Sequence, residues 1–341
     1  MTVDNFWLNQ GLGFLLGVAS GLLAPLVAKV TSRWYHRIRS RLEIHPPYLA
    51  AEEIKFFMLD EWSPGRELKP SKVKVEYDED PWEQDWCDPE ELLHLRSGLD
   101  DDGGPSSTLR SLAVDHHESE AGRLLHLTFA PSTYGDLIAV GEYFRRHPEE
   151  VERTLARLAH DDVASVIAKA PRSVASINVT VTSADGRLLA VRRSGAVRTS
   201  QNIWTLGPNE TMSAALPTST GVETPHSLAW RALHEEVGLE PDDVAVLQMS
   251  WIGYNVPGAL VHLVAHCRSN LRSAEIESRI REGLGSFEVD QMAWLPATPR
   301  TIRKIISSVR EGRPDSEKRV WLSSAALGAA EWYRWRRVVG A

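Results

Sequence analysis

Three glutamates and one arginine lie on or just before a single predicted helix, and residues of these types at this spacing could hold a cation. Glu223 precedes the helix, which carries Arg231, Glu235 and Glu236. Carboxylate oxygens are the ligands that hard divalent cations prefer. Arg231 and Glu235 are four residues apart, so they can pair on the helix surface. An ordinary amphipathic helix would show the same pair, so these residues alone do not define a site.

The helix has start and stop signals at both ends. Thr224 can accept a hydrogen bond as the N-cap, and Pro225 suits the first turn. Gly238 suits the end, because glycine readily adopts the left-handed conformation found there. The sequence therefore predicts a helix between Pro225 and Gly238.

Strand-like segments flank this helix in the sequence. Residues 176–194 form two apolar runs joined at Asp185-Gly186, a dipeptide typical of a hairpin turn. Three more runs follow the helix, at residues 244–254, 259–267 and 289–296, with a polar helical segment before the last. This order predicts an α/β (α+β) fold with a mixed sheet packed against helices.

The arrangement resembles the Nudix hydrolase family, whose signature is G-x5-E-x7-R-E-U-x-E-E-x-G-U, where U is an aliphatic residue. The likeness covers residues 172–298, and it includes Arg193 at a strand end and Trp204 before the loop. The signature residues in register are Glu223, Arg231, Leu233, Glu235, Glu236, Gly238 and Leu239.

The chain departs from the signature at two positions. Pro217 stands in place of the opening glycine, and Ala232 stands in place of the first helix glutamate. Gly-Pro-Asn replaces the usual Pro-Gly-Gly after Trp204, and an insert at residues 208–220 lengthens the loop before the helix. The resemblance therefore leaves open both a hydrolase and a domain that binds without cleaving.

The resemblance implies a nucleotide-type ligand and a divalent ion, Mg²⁺ or Mn²⁺. Such an ion neutralises a diphosphate and activates an attacking water. Glu236 is the first candidate ligand, with Glu235 beside it and Glu223 assisting catalysis. Glu210 and Glu288 are further candidate metal ligands. The candidate substrate contacts are Arg193, Arg198 and Trp204, because guanidinium groups suit phosphate oxygens.

The composition is that of a globular protein, with 43% hydrophobic and 25% charged residues in 341. The formal net charge of -8 argues against a general nucleic-acid binder, which needs a basic surface. We therefore expect no nucleic-acid partner.

Residues 6–28 contain no formal charge, and about 20 apolar residues suffice to span a bilayer. Lys29, Arg33 and Arg37 follow this segment, and basic residues favour the cytoplasmic side. The sequence predicts a single-pass protein of the cell membrane with a cytoplasmic C-terminal domain. A cleaved signal peptide is the alternative interpretation.

Gly13, Gly17 and Gly21 recur every fourth residue within that segment. Such spacing lets membrane helices approach closely, although glycine is also common in membrane helices generally. A homo-oligomer through these glycines is one hypothesis.

Four regions are predicted. Residues 1–42 are a transmembrane helix and a basic segment, and 43–171 are an accessory cytoplasmic region with strands near 72–77 and 123–129. The acidic residues 76–102 favour a solvated loop. Residues 172–298 are the Nudix-like domain, and 299–341 are C-terminal helices.

Two functions follow as hypotheses. The first is a membrane-anchored, metal-dependent hydrolase that cleaves a nucleoside diphosphate linked to another group. The second is a catalytically inactive nucleotide sensor coupled to a self-associating membrane helix, which Ala232 and the loop insert favour.

Overall fold

The computed structural model describes residues 56–61, 69–78, 88–99, 105–116, 123–158, 174–195, 201–214, 223–256, 258–282, 289–321, 325, 328 and 329. Within these residues the chain forms a mixed α+β fold with two sheets.

The strands of the described residues are β1 (Phe56–Glu61), β2 (Val73–Tyr77), β3 (Pro105–His116), β4 (Arg123–Thr133), β5 (Ala175–Thr182), β6 (Arg187–Arg193), β7 (Trp204–Leu206), β8 (Asn209–Thr211), β9 (Val244–Asn255), β10 (Leu260–Ser269) and β11 (Val289–Pro296).

The helices of the same residues are α1 (Pro89–Ser97), α2 (Tyr134–Arg146), α3 (Pro148–Leu158), α4 (Pro225–Ala232), α5 (Ser273–Glu282) and α6 (Pro299–Glu311). The predicted strands near 72–77 and 123–129 are β2 and β4.

The large sheet has the order β1-β9-β10-β5-β6-β11, with β7 paired to β6 and β8 paired to β5. The β5 and β10 strands are parallel, whereas β9 and β10 are antiparallel, so the sheet is mixed as predicted. Every residue of β5 is buried, because this strand is central and both of its faces are covered. Helix α4 packs on β5 through Leu228, Ala229 and Ala232, which are fully buried.

The hairpin between β5 and β6 turns at Asp185-Gly186, where Gly186 has a φ of +73°. The Asp185 carboxylate also accepts hydrogen bonds from the backbone N–H and the hydroxyl of Ser273, both at 2.8 Å. Burial alone would raise the pKa of Asp185, but these hydrogen bonds and one from Ser183 lower it to about 2. The turn therefore also fixes the start of α5.

Helix α4 begins where the sequence predicts, and the helical segment that it opens continues past Ala232 to the predicted end at Gly238. The Thr224 hydroxyl accepts from the Ser227 backbone N–H at 3.1 Å, and Gly238 ends the helix with a φ of +70°. Between them, Leu233–Val237 widens into a turn of π type. Such turns insert an extra residue into the helical repeat, and this one contains both Glu235 and Glu236.

One face of the large sheet is polar and buried. Asn178 and Thr180 alternate on β5, at 0% and 1% exposure, and both face Gly328. On β10, His262 bonds the Ser176 hydroxyl at 2.9 Å. His266 likewise bonds Thr182 at 3.0 Å. Because successive strand residues point to opposite faces, the apolar residues of β5 line the other face.

The small sheet has the order β2-β4-β3 and is joined to the large one. The Ser107 backbone N–H donates to the Met212 carbonyl at 3.0 Å, and the Ser107 hydroxyl donates to the Ser213 carbonyl at 2.7 Å. Strand β1 also extends the large sheet by pairing with β9. Strands from the region 43–171 therefore contact the Nudix-like region directly.

Helix α1 lies within the acidic run at residues 76–102, which was expected to be a loop. The Asp88 side chain accepts from the Glu90 backbone N–H at 2.9 Å, and Pro89 occupies the first turn. Acidic residues suit the N-terminal end of a helix because they oppose its dipole. The loop expectation is therefore wrong for residues 89–97.

No helix in the described part of the chain is long and apolar enough to cross a membrane. The predicted membrane segment at 6–28, with Gly13, Gly17 and Gly21, lies outside the described residues. These expectations stay predictions.

Candidate functional site

The site is organised around the ion pair between Arg231 on α4 and Glu223 in front of that helix. Arg231 donates from Nε to Glu223 Oε1 at 2.9 Å and from Nη2 to Oε2 at 3.3 Å. Its Nη2 also donates to the Thr211 carbonyl at 2.8 Å, and Glu223 accepts from the Ser213 backbone N–H at 2.9 Å. Arg231 therefore braces the loop against the helix.

Two further glutamates approach the same guanidinium. Glu210 lies 3.1 Å from Arg231 Nη1, and Glu235 lies 3.7 Å from the same nitrogen. The predicted pair of Arg231 with Glu235 is thus present, but it is the longest of the three. The Glu235 side chain is also 44% exposed, so it is the carboxylate most open to solvent.

Glu236 faces the turn between β7 and β8. Its Oε1 accepts from the Asn209 backbone N–H at 3.2 Å, and the residue is 8% exposed. Ala232, one turn earlier, is fully buried in the core beside Leu233. A glutamate at position 232 would therefore meet a desolvated environment, which is costly for an unpaired charge.

Acidic groups outnumber basic groups around Arg231. Burial alone would lower the pKa of Arg231, but the hydrogen bond to Glu223 and the charges of Glu210, Glu223 and Glu235 raise it. Three carboxyl groups, those of Glu210, Glu223 and Glu235, approach this one guanidinium. The cluster therefore keeps a negative potential that favours a cation.

A metal cage made by protein alone is absent from the described residues, where no three His, Cys, Asp or Glu side chains could together hold an ion. Mg²⁺ commonly takes only one or two carboxylates and shares its remaining ligands with waters and substrate phosphates. Glu235 and Glu236 are adjacent and are not the main partners of Arg231. Glu235 and Glu236 are the carboxylates that such shared coordination would use.

Trp204 lies on β7 and is covered by the chain beyond α6. Its backbone N–H donates to the Val320 carbonyl at 2.8 Å, and its ring centroid lies 6.2 Å from that of Trp321. The Arg319 guanidinium lies 5.3 Å from the centre of the Trp204 ring. As a result Trp204 is only 8% exposed.

The remaining predicted residues are spread more widely. Arg193 is partly buried at the end of β6, and its Nε has no hydrogen-bond partner among the described residues. The neighbouring Arg192 bonds Asp290 on β11 at 2.9 Å. Arg198 and Glu288 lie outside the described residues.

Sequence reasoning missed the backbone groups of the site. The N–H groups of Asn209 and Ser213 and the carbonyl of Thr211 hold Glu236, Glu223 and Arg231 respectively. Backbone groups occur at every residue, so no residue type signals them. Trp321 and Arg319 were missed because nothing local places them beside β7.

The chain is similar to RNA pyrophosphohydrolases. It is 38% identical over 84 residues to that of Pseudomonas putida strain GB-1, which covers 21% of this chain and 53% of that protein. It is 34% identical over 88 residues to that of Cellvibrio japonicus, covering 25% and 45%. The chain spans about half the length of the curated relatives it matches.

These sequence matches suggest Nudix-type hydrolases as relatives, which agrees with the partial signature. No protein-family profile matches the chain. Two solved structures give low similarity. A Deinococcus radiodurans protein has a TM-score of 0.33 and 14% identity, covering 47% of this chain and 83% of that one. The MutT protein of Methanosarcina mazei has a TM-score of 0.28 and 16% identity, covering 49% and 96%.

Proposed function

We propose that this chain is a Nudix-type pyrophosphohydrolase that cleaves a nucleoside diphosphate linked to another group, with Mg²⁺ or Mn²⁺. In this reaction water adds across the P–O–P bridge, giving two phosphate products. The observation that carries the proposal is the carboxylate cluster around Arg231, in which Glu223, Glu210 and Glu235 approach one guanidinium and Glu236 follows on the same helical segment. The partial signature and the named relatives support it.

Each residue has a distinct part in this proposal. Arg231 and Glu223 hold the loop and helix in one geometry, which keeps Glu235 and Glu236 in place before substrate arrives. A bound ion would neutralise diphosphate charge and lower the pKa of a water. The Asn209 N–H orients Glu236 through one hydrogen bond. Arg193 and Arg198 are the proposed phosphate contacts.

The test is turnover by the full chain with Mg²⁺, Mn²⁺ or EDTA. The panel contains nucleotide sugars, dinucleoside polyphosphates and a short 5′-triphosphorylated RNA, the last because the curated relatives are named RNA pyrophosphohydrolases. Phosphate and pyrophosphate release are measured beside a thermal-shift assay. We expect metal-dependent release with at least one compound.

Glu236→Gln should reduce that release at least about a hundredfold, the range found for removal of an important catalytic group. Glu282→Gln is the matched control, because Glu282 is an exposed glutamate on α5 that accepts a hydrogen bond from the Ser278 hydroxyl. Undiminished turnover in the Glu236 variant would rule out the assignment of Glu236.

A nucleotide sensor is the alternative, and a specific observation favours it. Three of the four glutamates contact Arg231, and the fully buried Ala232 removes one signature carboxylate. A sensor predicts a stabilising thermal shift without product in the same panel. The two functions are thus separated by one set of measurements.

Membrane anchoring by residues 6–28 and association through Gly13, Gly17 and Gly21 are also proposals, which rest on the sequence. Carbonate extraction of cell membranes should retain the full chain, and protease added outside the cell should leave the C-terminal domain intact. Gly17→Leu should reduce crosslinking between chains; unchanged crosslinking would contradict the glycine interface.

A further inference from the structure

The end of helix α6 folds back along the helix. Gly312 has a φ of +60°, its N–H donates to the Val309 carbonyl at 3.2 Å, and the Arg313 N–H donates to the Ser308 carbonyl at 3.1 Å. This pair of bonds is the Schellman arrangement, which reverses the chain direction after a helix. Residues 313–316 therefore run beside the helix that they follow.

Side chains fix this returning segment to the helix. The Ser308 hydroxyl donates to the Arg313 carbonyl, and Lys304 Nζ donates to the Ser316 hydroxyl at 3.0 Å. The apolar residues Ile302 and Ile305 are buried on another side of α6. These hydrogen bonds therefore fix the space between α6 and the returning segment.

That space is a groove of about 400 Å³, a volume within the range of small-molecule sites. Its hydroxyls come from Ser307, Ser308 and Ser316. Its cationic side chains are those of Arg300, Arg303, Lys304 and Arg313, and all four residues are exposed.

The two carboxylates of the groove are already engaged. Asp315 is 5% exposed and accepts from Trp321 Nε1 at 2.9 Å and from the backbone N–H groups of Glu317 and Arg319. Glu311 accepts from the Ser307 hydroxyl at 2.8 Å. The lining therefore has four cationic groups and two bonded carboxylates, and one of the cations, Lys304, also lies 3.6 Å from Glu317 beside the groove.

One cation of α6 lies in an electrostatically unfavourable position. Arg300 is in the first turn of the helix, which contains no acidic residue, and Arg303 and Lys304 lie in the next turn. A cation in the first turn is repelled by the helix dipole, whereas an anion there is stabilised. An anion bound beside Arg300 would relieve this repulsion.

We propose that this groove binds a phosphate-bearing anion with several negative charges. Guanidinium forks match phosphate oxygens, and Arg300, Arg303 and Arg313 supply three of them. This site is separate from the Arg231 cluster and does not depend on the chain being a hydrolase. The phosphate can belong to a soluble phosphate compound or to a lipid headgroup.

The first arm of the test is calorimetric titration of the full chain with inorganic pyrophosphate in EDTA. The second arm is sedimentation with phosphatidylcholine vesicles, with and without phosphatidic acid. We expect the wild type to bind in at least one arm and to bind more weakly as salt rises, because salt screens exposed charges.

Arg303→Glu and Arg313→Glu should each weaken binding at least about tenfold, as expected for loss of a charged hydrogen bond. These residues lie on opposite walls, on the helix and on the returning segment. Arg281→Glu is the matched control, since it makes the same charge change at an exposed arginine on another helix, α5, outside the groove lining. Its binding should stay within about twofold of the wild type, because distant exposed charges are screened.

Binding in the first arm would identify a soluble phosphate ligand, and binding in the second alone would identify a lipid headgroup. Absence of wild-type binding in both arms would overturn the proposal. So would an equal loss in the Arg281 variant, because binding would then reflect only overall charge.

Discussion

Arg231 and Glu223 form a two-point ion pair across eight residues, with bonds of 2.9 and 3.3 Å. The pair closes the loop that leads into α4, and the Glu223 side chain is only 16% exposed. A carboxylate paired in this way contributes to the stability of the fold in the first place, and to catalysis only in the second. This distinction can be measured.

Glu223→Ala should lower the free energy of unfolding by about 1–3 kcal/mol, since it leaves Arg231 and the Ser213 N–H without this partner. Urea unfolding of the full chain gives the value. Glu235→Ala is the control, and it should cost less than about 1 kcal/mol, because exposed ion pairs contribute little. Equal losses in the two variants would contradict the bracing role.

The helix α4 and the β5–β6 hairpin could be predicted because their signals are local. Thr224, Pro225 and Gly238 mark the helix ends, and Asp185-Gly186 marks the turn. Strand β1 could not be predicted, because its partner β9 lies almost two hundred residues away, with Phe56 opposite Asn255. Pairing at that separation leaves no local pattern.

The candidate site was predictable only in part. The signature spacing named Glu223, Arg231, Glu235 and Glu236, and in the structure Glu223 and Glu235 pair with Arg231. The spacing could not show that Glu236 accepts a hydrogen bond from the Asn209 N–H. Nor could it show that the helical segment widens after α4, at residues 233–237. These features depend on where the β7–β8 turn lies, which is set by the sheet.

Ala232→Glu tests whether α4 can still present a full set of ligands. In EDTA this variant should be destabilised by about 2 kcal/mol or more, because a buried position would gain an unpaired charge. Mg²⁺ should recover part of this loss, and thermal unfolding with and without Mg²⁺ measures it. Ala232→Gln has the same size without the charge and should show no metal response. An identical response in both variants would count against the inferred metal position.

Gly328→Ala should destabilise the fold by about 1–3 kcal/mol through overpacking. A Cβ at this position would lie 2.3 Å from the Thr180 hydroxyl and 3.1 Å from Asn178 Oδ1. Adding Thr180→Ala should restore most of the stability, because it removes the closest atom. Gly141→Ala in α2 is the control, since its Cβ would meet nothing within 4 Å. A harmless Gly328→Ala variant would show that the contact can relax.

Acid should destabilise the chain through two buried histidines. Burial lowers the pKa of His262 to about 4 and that of His266 to about 3, with Arg268 adding to the second shift. Both are neutral in the folded state, whereas the unfolded chain protonates them below about pH 6.5. Stability from each is therefore present above that pH and falls towards pH 4 by up to about 1.4 kcal/mol per unit.

His266→Gln should reduce this slope between pH 6.5 and pH 4 by one histidine's share, as measured by urea unfolding at stepped pH. His147, whose pKa is raised by its hydrogen bond to Glu91, is present in both proteins and cancels in the difference. A variant slope equal to the wild-type slope would refute the assignment.

The pairing of β1 with β9 also determines where a stable fragment of the chain can begin. A fragment beginning at residue 172 would keep the whole Nudix-like signature but lose the strand that completes one border of the sheet. The open hydrogen-bonding groups of β9 would then be a template for other chains. Expression of the signature region alone is therefore expected to give aggregates, and the boundary for a stable fragment lies upstream of Phe56.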